Sequence, residues 1–443
     1  MLTRSIVVAM LGCVVASAAV GQTRYRMEPL GLLPSGKLSG QATAINDSGQ
    51  VTGTSDNKTF IWQDGAMQYL PLPQGAISSV GRDINNLGEI CGQDTFRTGS
   101  PPFYLTSYEA FTWDETSGRE TISGFTKADR INDSGTMIVG GQLVIGGSGS
   151  LLFSDGAQAA LAPLEGDTGA TPRAINNSDV AAGGSSIQVS ETGPGGLIMF
   201  VTYHTATIWT DPDTPVALGY LDPSDDSSIV TGLNDSGVAV GTSEGDATGK
   251  RGFIWTDAMT GMEDLGDLGA DFVSPAAISD NNLVVGSAQL AELPGGESGP
   301  VHAFVWQDGA MQDINDLIPS ATDTELTGAV DVNASGQILC RGTVDGSLDA
   351  FVLTPYVLGD FDRNGVLNGL DIPGFKDALA DPALWSATHD ISADLLGDFD
   401  GNGSFNGLDI PGFKDGLAGT SVPEPATMVL LAAGAIAVWR RKG

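Results

Sequence analysis

The stretch Ile45-Asn46-Asp47-Ser48-Gly49-Gln50-Val51-Thr52-Gly53-Thr54-Ser55, continued by Phe60-Ile61-Trp62-Gln63-Asp64-Gly65-Ala66-Met67, decides the fold. Asn-Asp-Ser-Gly between apolar runs is a hairpin connection, because Gly enters positive φ without a Cβ clash. Val51–Ser55 is β-branched and alternating, as a strand requires. Phe60-Ile61-Trp62 supplies a third strand, and Asp64-Gly65 turns the chain into a fourth.

The same order recurs at Ile84-Asn85-Asn86-Leu87-Gly88, Ile131-Asn132-Asp133-Ser134-Gly135, Ile175-Asn176-Asn177-Ser178-Asp179 and Leu233-Asn234-Asp235-Ser236-Gly237. A degenerate sixth copy is Ile278-Ser279-Asp280-Asn281-Asn282, and the seventh is Val332-Asn333-Ala334-Ser335-Gly336. The copies are spaced 39, 47, 44, 58, 45 and 54 residues apart. Periods of this size mean propellers or solenoids. The aromatic strand returns as Phe111-Thr112-Trp113, Thr207-Ile208-Trp209, Phe253-Ile254-Trp255 and Phe304-Val305-Trp306, and its repeated ring is expected to pack neighbouring blades. The last copy stops after its third strand, Phe351-Val352-Leu353. Met27-Glu28-Pro29-Leu30-Gly31 matches the fourth strand Met262-Glu263-Asp264-Leu265-Gly266. An N-terminal strand completing the final blade would close the ring and leave no open edge. The sequence therefore predicts a mainly β chain, a β-propeller over residues 22–356. Seven blades are favoured; six blades or an open β-solenoid are the alternatives, since the third and fourth repeats are irregular. The rhythm resembles the HAF repeats of bacterial extracellular proteins, whose triplet His302-Ala303-Phe304 reproduces once. That resemblance implies an extracellular repeat protein with no defined activity.

Downstream, residues 360–371 and 398–409 each place oxygen-bearing side chains at positions 1, 3, 5, 9 and 12, with Gly at 6. That is the spacing with which an EF-hand-type loop wraps a hard cation. The ligands expected are Asp360, Asp362, Asn364, the Val366 carbonyl, Asn368 and Asp371, then Asp398, Asp400, Asn402, the Ser404 carbonyl, Asn406 and Asp409. Each loop runs into Ile-Pro-Gly-Phe-Lys-Asp, with Pro in the first helical turn, where its missing N–H is harmless. Asp at position 12 argues for a structural site over a switch. The duplicated pair resembles the dockerin domain over residues 357–420. The resemblance implies two calcium ions, one helix per loop and a cohesin-like partner module. Gly369 and Gly407 stand where many dockerins carry Ser or Thr.

The two ends read as addresses. Residues 1–21 form a secretory signal: Arg4, an apolar stretch to Val15, then Ala16-Ser17-Ala18 for cleavage. At the other end Pro423-Glu424-Pro425 precedes an apolar run from Ala426 to Trp439 and the basic Arg440-Arg441-Lys442. Fourteen apolar residues are short for a span of ~20, which suits transient membrane association. This order resembles the PEP-CTERM sorting signal of Gram-negative-type bacteria over residues 421–443. It implies an exosortase-type protease and delivery to the cell surface, outer membrane or extracellular matrix.

Composition narrows the function. Of 443 residues, 54 are acidic and 20 basic, a net charge of −34, which repels phosphate backbones and excludes nucleic acid as partner. Three histidines in different units, His204, His302 and His389, and three cysteines leave little material for a His-based site or a disulfide framework. Gly241-Thr242-Ser243-Glu244-Gly245 matches the nucleophile elbow in letters, but it is the second strand of a repeat, where the elbow needs a following helix. Cys91 and Cys340 fall in second strands of repeats two and seven and are expected to be free, buried thiols. The reading is an exported, non-enzymatic surface or matrix binding protein, with an extracellular polysaccharide among its candidate ligands. The alternative is a glycoside hydrolase, or its accessory subunit, tethered by the dockerin-like pair.

Overall fold

The computed structural model describes residues 23–31, 41–100, 103–141, 150–192, 198–318, 324–344, 346–363, 365–389 and 391–419. The signal segment, Asn364 and the sorting residues Pro423, Glu424, Pro425, Arg440 and Arg441 lie outside them. No helix among the described residues is long and apolar enough to cross a membrane. The described residues form two compact parts, Tyr25–Pro355 and one that contains those from Tyr356 to Gly419.

The first part is a β-propeller. Five sheets are self-contained and four-stranded; a sixth is eight-stranded and joins the fifth and sixth sequence repeats. The join is a single parallel pair, Lys250 with Phe272. Within each repeat the strands run antiparallel in chain order, as the Gly-containing turns dictate. The first strand of each repeat lines a central channel. Closure follows the sequence match: Tyr25–Pro29 pairs antiparallel with Ser347–Pro355, Tyr25 opposite Pro355 and Pro29 opposite Phe351.

In six of the seven repeats the second strand carries a glycine beside the first-strand bulge, at 53, 92, 183, 241, 286 and 342, while the third has Val139 there. Most first strands carry a bulge, for example between Gly81 and Asp83 or Val230 and Gly232. The bulge drives a carbonyl toward the partner strand. A Cβ on Gly92 would lie 2.1 Å from the Val80 oxygen and 2.7 Å from the Phe111 ring; on Gly241 it would lie 2.0 Å from the Ile229 oxygen. Only a residue without Cβ fits there.

The rings that fill the core are not mainly the tryptophans. Phe60, Phe111, Phe253, Phe304 and Phe351 are all at most 2% exposed. Trp62 and Trp209 are equally buried, but Trp113, Trp255 and Trp306 are only half-buried. Residues two apart share a sheet face, and the Phe sits deeper between sheets. Cys91 and Cys340 are buried and unpaired.

The repeated asparagine does more than turn the chain. The Asn46 side-chain oxygen accepts the N–H groups of Ser48 and Gln50, which holds its own turn. Its amide donates across to the next repeat, to the carbonyl of Asn85 at 3.0 Å. Asn85 donates likewise to Asn132, Asn132 to Asn176, Asn176 to Asn234 and Asn234 to Ser279. Asn333 returns to Asn46 at 2.9 Å. Ser279 has no amide to give, and Asn281 supplies the missing step by donating to the Ala334 carbonyl at 2.7 Å. A second tier runs alongside: the N–H of Asp47 donates to the Asn86 side chain, Asn86 to Asp133, Asp133 to Asn177, Asn177 to Asp235, Asp235 to Asp280, and Ala334 to Asp47.

The second part is helical: α1 (Asp371–Ala380), α2 (Pro382–His389), α3 (Ala393–Gly397) and α4 (Ile410–Gly419). α1 and α4 are the expected helices after each loop; α2 and α3 are additional. Phe375 and Phe413, equivalent in the duplication, stack at 3.8 Å and 14°. Phe361, Phe405 and Trp385 complete that core.

Asn132 is 4% exposed and its amide also reaches Asp179 at 2.8 Å. Asn132→Ala strands the Asn176 carbonyl and the Thr136 N–H, and should lower unfolding free energy by about 2–3 kcal/mol. Urea unfolding of the full chain checks this; an unchanged midpoint contradicts it.

Candidate functional site

The twelve-residue loops bring their outer and inner carboxylates together as the spacing requires. Asp360, Asp362 and Asp371 have ligand oxygens within 4.8 Å of one another, as do Asp398, Asp400 and Asp409. Positions 4 and 6 of each loop have positive φ: Arg363 (+62°) and Gly365 (+87°), Gly401 (+72°) and Gly403 (+84°). That folds the loop back on itself, so Gly365 N–H reaches Asp360 at 2.8 Å and Gly403 N–H reaches Asp398 at 2.7 Å.

Position 12 is the hub. Asp371 accepts from the N–H groups of Asp362 and Asn368; Asp409 accepts from Phe399, Asp400 and Asn406. Both residues are fully buried. Positions 7 and 9 engage each other: the Asn368 amide donates to the Val366 carbonyl and the Asn406 amide to the Ser404 carbonyl, at 3.0 and 2.8 Å. Asn402 accepts from Ser404 N–H at 3.0 Å. Three carboxylates so close, two of them buried in the first loop and one in the second, repel when ionised unless a cation intervenes. A hard-oxygen donor set of this kind fits calcium.

A second cluster lies in the propeller's channel, where sequence reasoning named nothing. A cavity of about 150 Å³ is lined by Asp83, Arg130 and Asp331 among small residues such as Ala44, Ala174, Gly232 and Ala277. No tryptophan lines it. Asp83 accepts the N–H of Ile84 and, across the repeat boundary, of Ile131. Asp331 does the same with Val332 and Ile45. Both carboxylates therefore stitch neighbouring repeats. Enclosure in the channel raises both pKa values, that of Asp331 to about 7; the charge of Asp83 adds to the rise at Asp331, while the N–H donors and Arg130 oppose it. The sequence signal was the residue before each Ile-Asn, which is Asp only at 83 and 331.

Ser243 and two of the three histidines have structural partners, while the buried Nδ1 of His204 has no hydrogen-bond partner among the described residues. Ser243 is buried in the strand Ala239–Gly245 and donates to Asp225 at 2.6 Å, so it is no nucleophile elbow. His302 lies between Asp313 (2.6 Å) and Glu325 (3.3 Å). His389 stacks on Trp385.

Among solved structures, the chain is similar to the β-propeller domain of the trilobed protease from Pyrococcus furiosus, at 13% identity over 71% of this chain and 95% of that one, TM-score 0.43. The WD40 β-propeller domain of Doa1 aligns at 12% identity over 73% and 96%, TM-score 0.34. The acylaminoacyl peptidase of Pyrococcus horikoshii aligns at 11% identity over 71% and 51%, TM-score 0.38. No curated protein sequence matches the chain. Residues 421–442 match the PEP-CTERM protein-sorting motif. That signal implies an exported bacterial protein, processed by an exosortase-type system and sorted toward the cell surface or extracellular space.

Asp331 makes the channel's electrostatics measurable. A carboxyl whose folded pKa is raised favours folding while protonated, so its contribution is complete below pH ~4 and is lost as pH rises through about 7. The stability of the native chain relative to Asp331→Asn should fall steadily between pH 4 and 7 in chemical unfolding. A difference constant with pH contradicts this.

Proposed function

We propose that the chain is an exported, non-enzymatic binding protein: a propeller presents a ligand face to an extracellular polysaccharide, and a dockerin-like pair of calcium loops forms a docking module. The observation that carries this reading is the duplicated triad of carboxylates, each within 4.8 Å, at equal positions of two loops. Asp360, Asp362, Asn364, Val366, Asn368 and Asp371 would hold one calcium ion, and Asp398, Asp400, Asn402, Ser404, Asn406 and Asp409 the other. The bound ion supplies charge neutralisation and no reaction chemistry, so folding of this part and metal binding are coupled. Leu370 and Leu408, each 68% exposed at equivalent loop positions, support a paired surface for a cohesin-like module.

The seven turns tied into one ring support seven blades, with the eight-stranded sheet counted as two that touch at Lys250 and Phe272. The competing glycoside hydrolase reading needs two carboxylates available to a sugar. Asp83 and Asp331, the pair facing the channel, already accept backbone N–H groups on both oxygens.

Calorimetric titration of the calcium-stripped full chain should reveal two sites. Asp371→Ala and Asp409→Ala should each abolish one, and calcium should raise helical ellipticity in the native chain. A flat titration overturns the calcium reading.

A further inference from the structure

Two hairpins outgrow the propeller. In repeat two, Ile90–Ser100 and Phe103–Asp114 stay paired out to Ser100 opposite Phe103, whereas their flanking strands stop at Phe96 and Ala110. In repeat four, Ala181–Thr192 and Ile198–Trp209 pair out to Thr192 opposite Ile198, and their neighbours stop at Ser186 and Ala206. Both hairpins join a second strand to a third, so both ribbons project from the propeller face opposite the asparagine turns. At ~3.3 Å per residue, Arg97–Ser100 and Ile187–Thr192 carry them about 13 and 20 Å past their flanking strands. Their ends expose large apolar groups: Phe103 is 83% exposed, Leu105 75%, Ile198 70% and Phe200 69%. Residues two apart share a strand face, so Phe103 with Leu105, and Ile198 with Phe200, each form an apolar row. A two-stranded ribbon alone is marginal in water and gains stability when another element packs on it. Past their flanking strands, no described strand pairs with the ribbons' outer edges, which are open to a further strand.

Charge selects the occupant. In a chain with 54 acids, residues 97–108 contain none and residues 187–203 contain one, Glu191. The same connections of repeats one, five, six and seven carry Asp56, Asp246, Glu292 with Glu297, and Asp345. The one base on the ribbons, Arg97, lies over the Tyr104 ring at 5.3 Å. Two bodies of net charge −34 repel wherever their acidic surfaces meet. At physiological salt, charges more than ~8 Å apart are screened, and ribbons of this reach hold two propellers farther apart than that. A second copy is thus admitted at the ribbons and opposed at the acidic surface. A lipid bilayer fits less well, because hydrocarbon leaves open strand edges unsatisfied.

We infer that the ribbons are the interface of a two-fold dimer, in which the ribbon of repeat two in one copy packs on the ribbon of repeat four in the other. A two-fold axis forms this contact twice. The row of Phe103 and Leu105 in one copy covers that of Ile198 and Phe200 in the other, and each ribbon supplies the packing its counterpart lacks.

The test is sedimentation equilibrium of the full chain, native and with Phe103→Ser, Leu105→Ser, Ile198→Ser and Phe200→Ser combined. The native chain should form a dimer that tightens as sodium chloride is raised, because the contact is apolar and the bodies repel. The combined variant should raise the dissociation constant about a hundredfold or more while keeping the native far-ultraviolet circular dichroism. Where that variant does not fold, Leu105→Asp alone takes its place with the same expected loss of the dimer. A native chain that is monomeric at every concentration and salt overturns the proposal, and so does a dimer that these changes leave intact. A monomer that floats with phosphatidylcholine vesicles, and ceases to in the variant, overturns the dimer and gives the ribbons to lipid.

Discussion

Everything in the propeller depends on one hydrogen-bonding device: an asparagine whose oxygen holds its own turn and whose amide holds the next one. A buried amide left unpaired is costly, so each of these side chains specifies the position of a neighbouring repeat as firmly as that of its own. Because Asn333 closes on Asn46 and Asp331 on Ile45, the last repeat is bonded to the first by the same device that joins all the others. Completion of the final sheet by Tyr25–Pro29 then locks the two ends of the chain together. The sixth repeat shows how strict the requirement is, since the loss of one amide at Ser279 is met by Asn281 reaching the same neighbour.

Electrostatics divides differently. Residues 357–420 contain eleven acids and three bases, a local charge of −8, gathered largely around two loops. On the proposed calcium reading this concentration serves to hold cations, and its effective charge would fall on binding. The propeller's carboxylates serve another purpose: several accept turn N–H groups, as Asp47, Asp133 and Asp235 do from the neighbouring repeat.

The fold was readable because a repeat multiplies weak local signals. A single Asn-Asp-Ser-Gly turn means little, but seven copies with a strand deficit at one end and a matching strand at the other led to a closed β architecture. The twelve-residue loops were readable for a similar reason, each copy checking the other. What stayed hidden were relations between repeats. That Asn46 donates to Asn85, thirty-nine residues away, follows only once the turns are side by side. That Phe111, Phe253 and Phe304 lie deeper than Trp113, Trp255 and Trp306 on the same strands is a fact of packing between sheets, which alternation alone does not encode. The channel carboxylates were invisible because a lone Asp before Ile-Asn looks like any other solvated acid.

The most direct measurement is native-state hydrogen exchange at the amides of Gln50, Glu89, Thr136, Val180, Val238, Leu283 and Gln337, each of which donates to the ring residue of its own turn. In a ring closed by cooperative side-chain bonds these seven amides exchange through one common opening, and Asn333→Ala, which cuts the closure, accelerates all of them together. Acceleration confined to Gln50 and Gln337, with the other five unchanged, would contradict the ring as the element on which the fold depends.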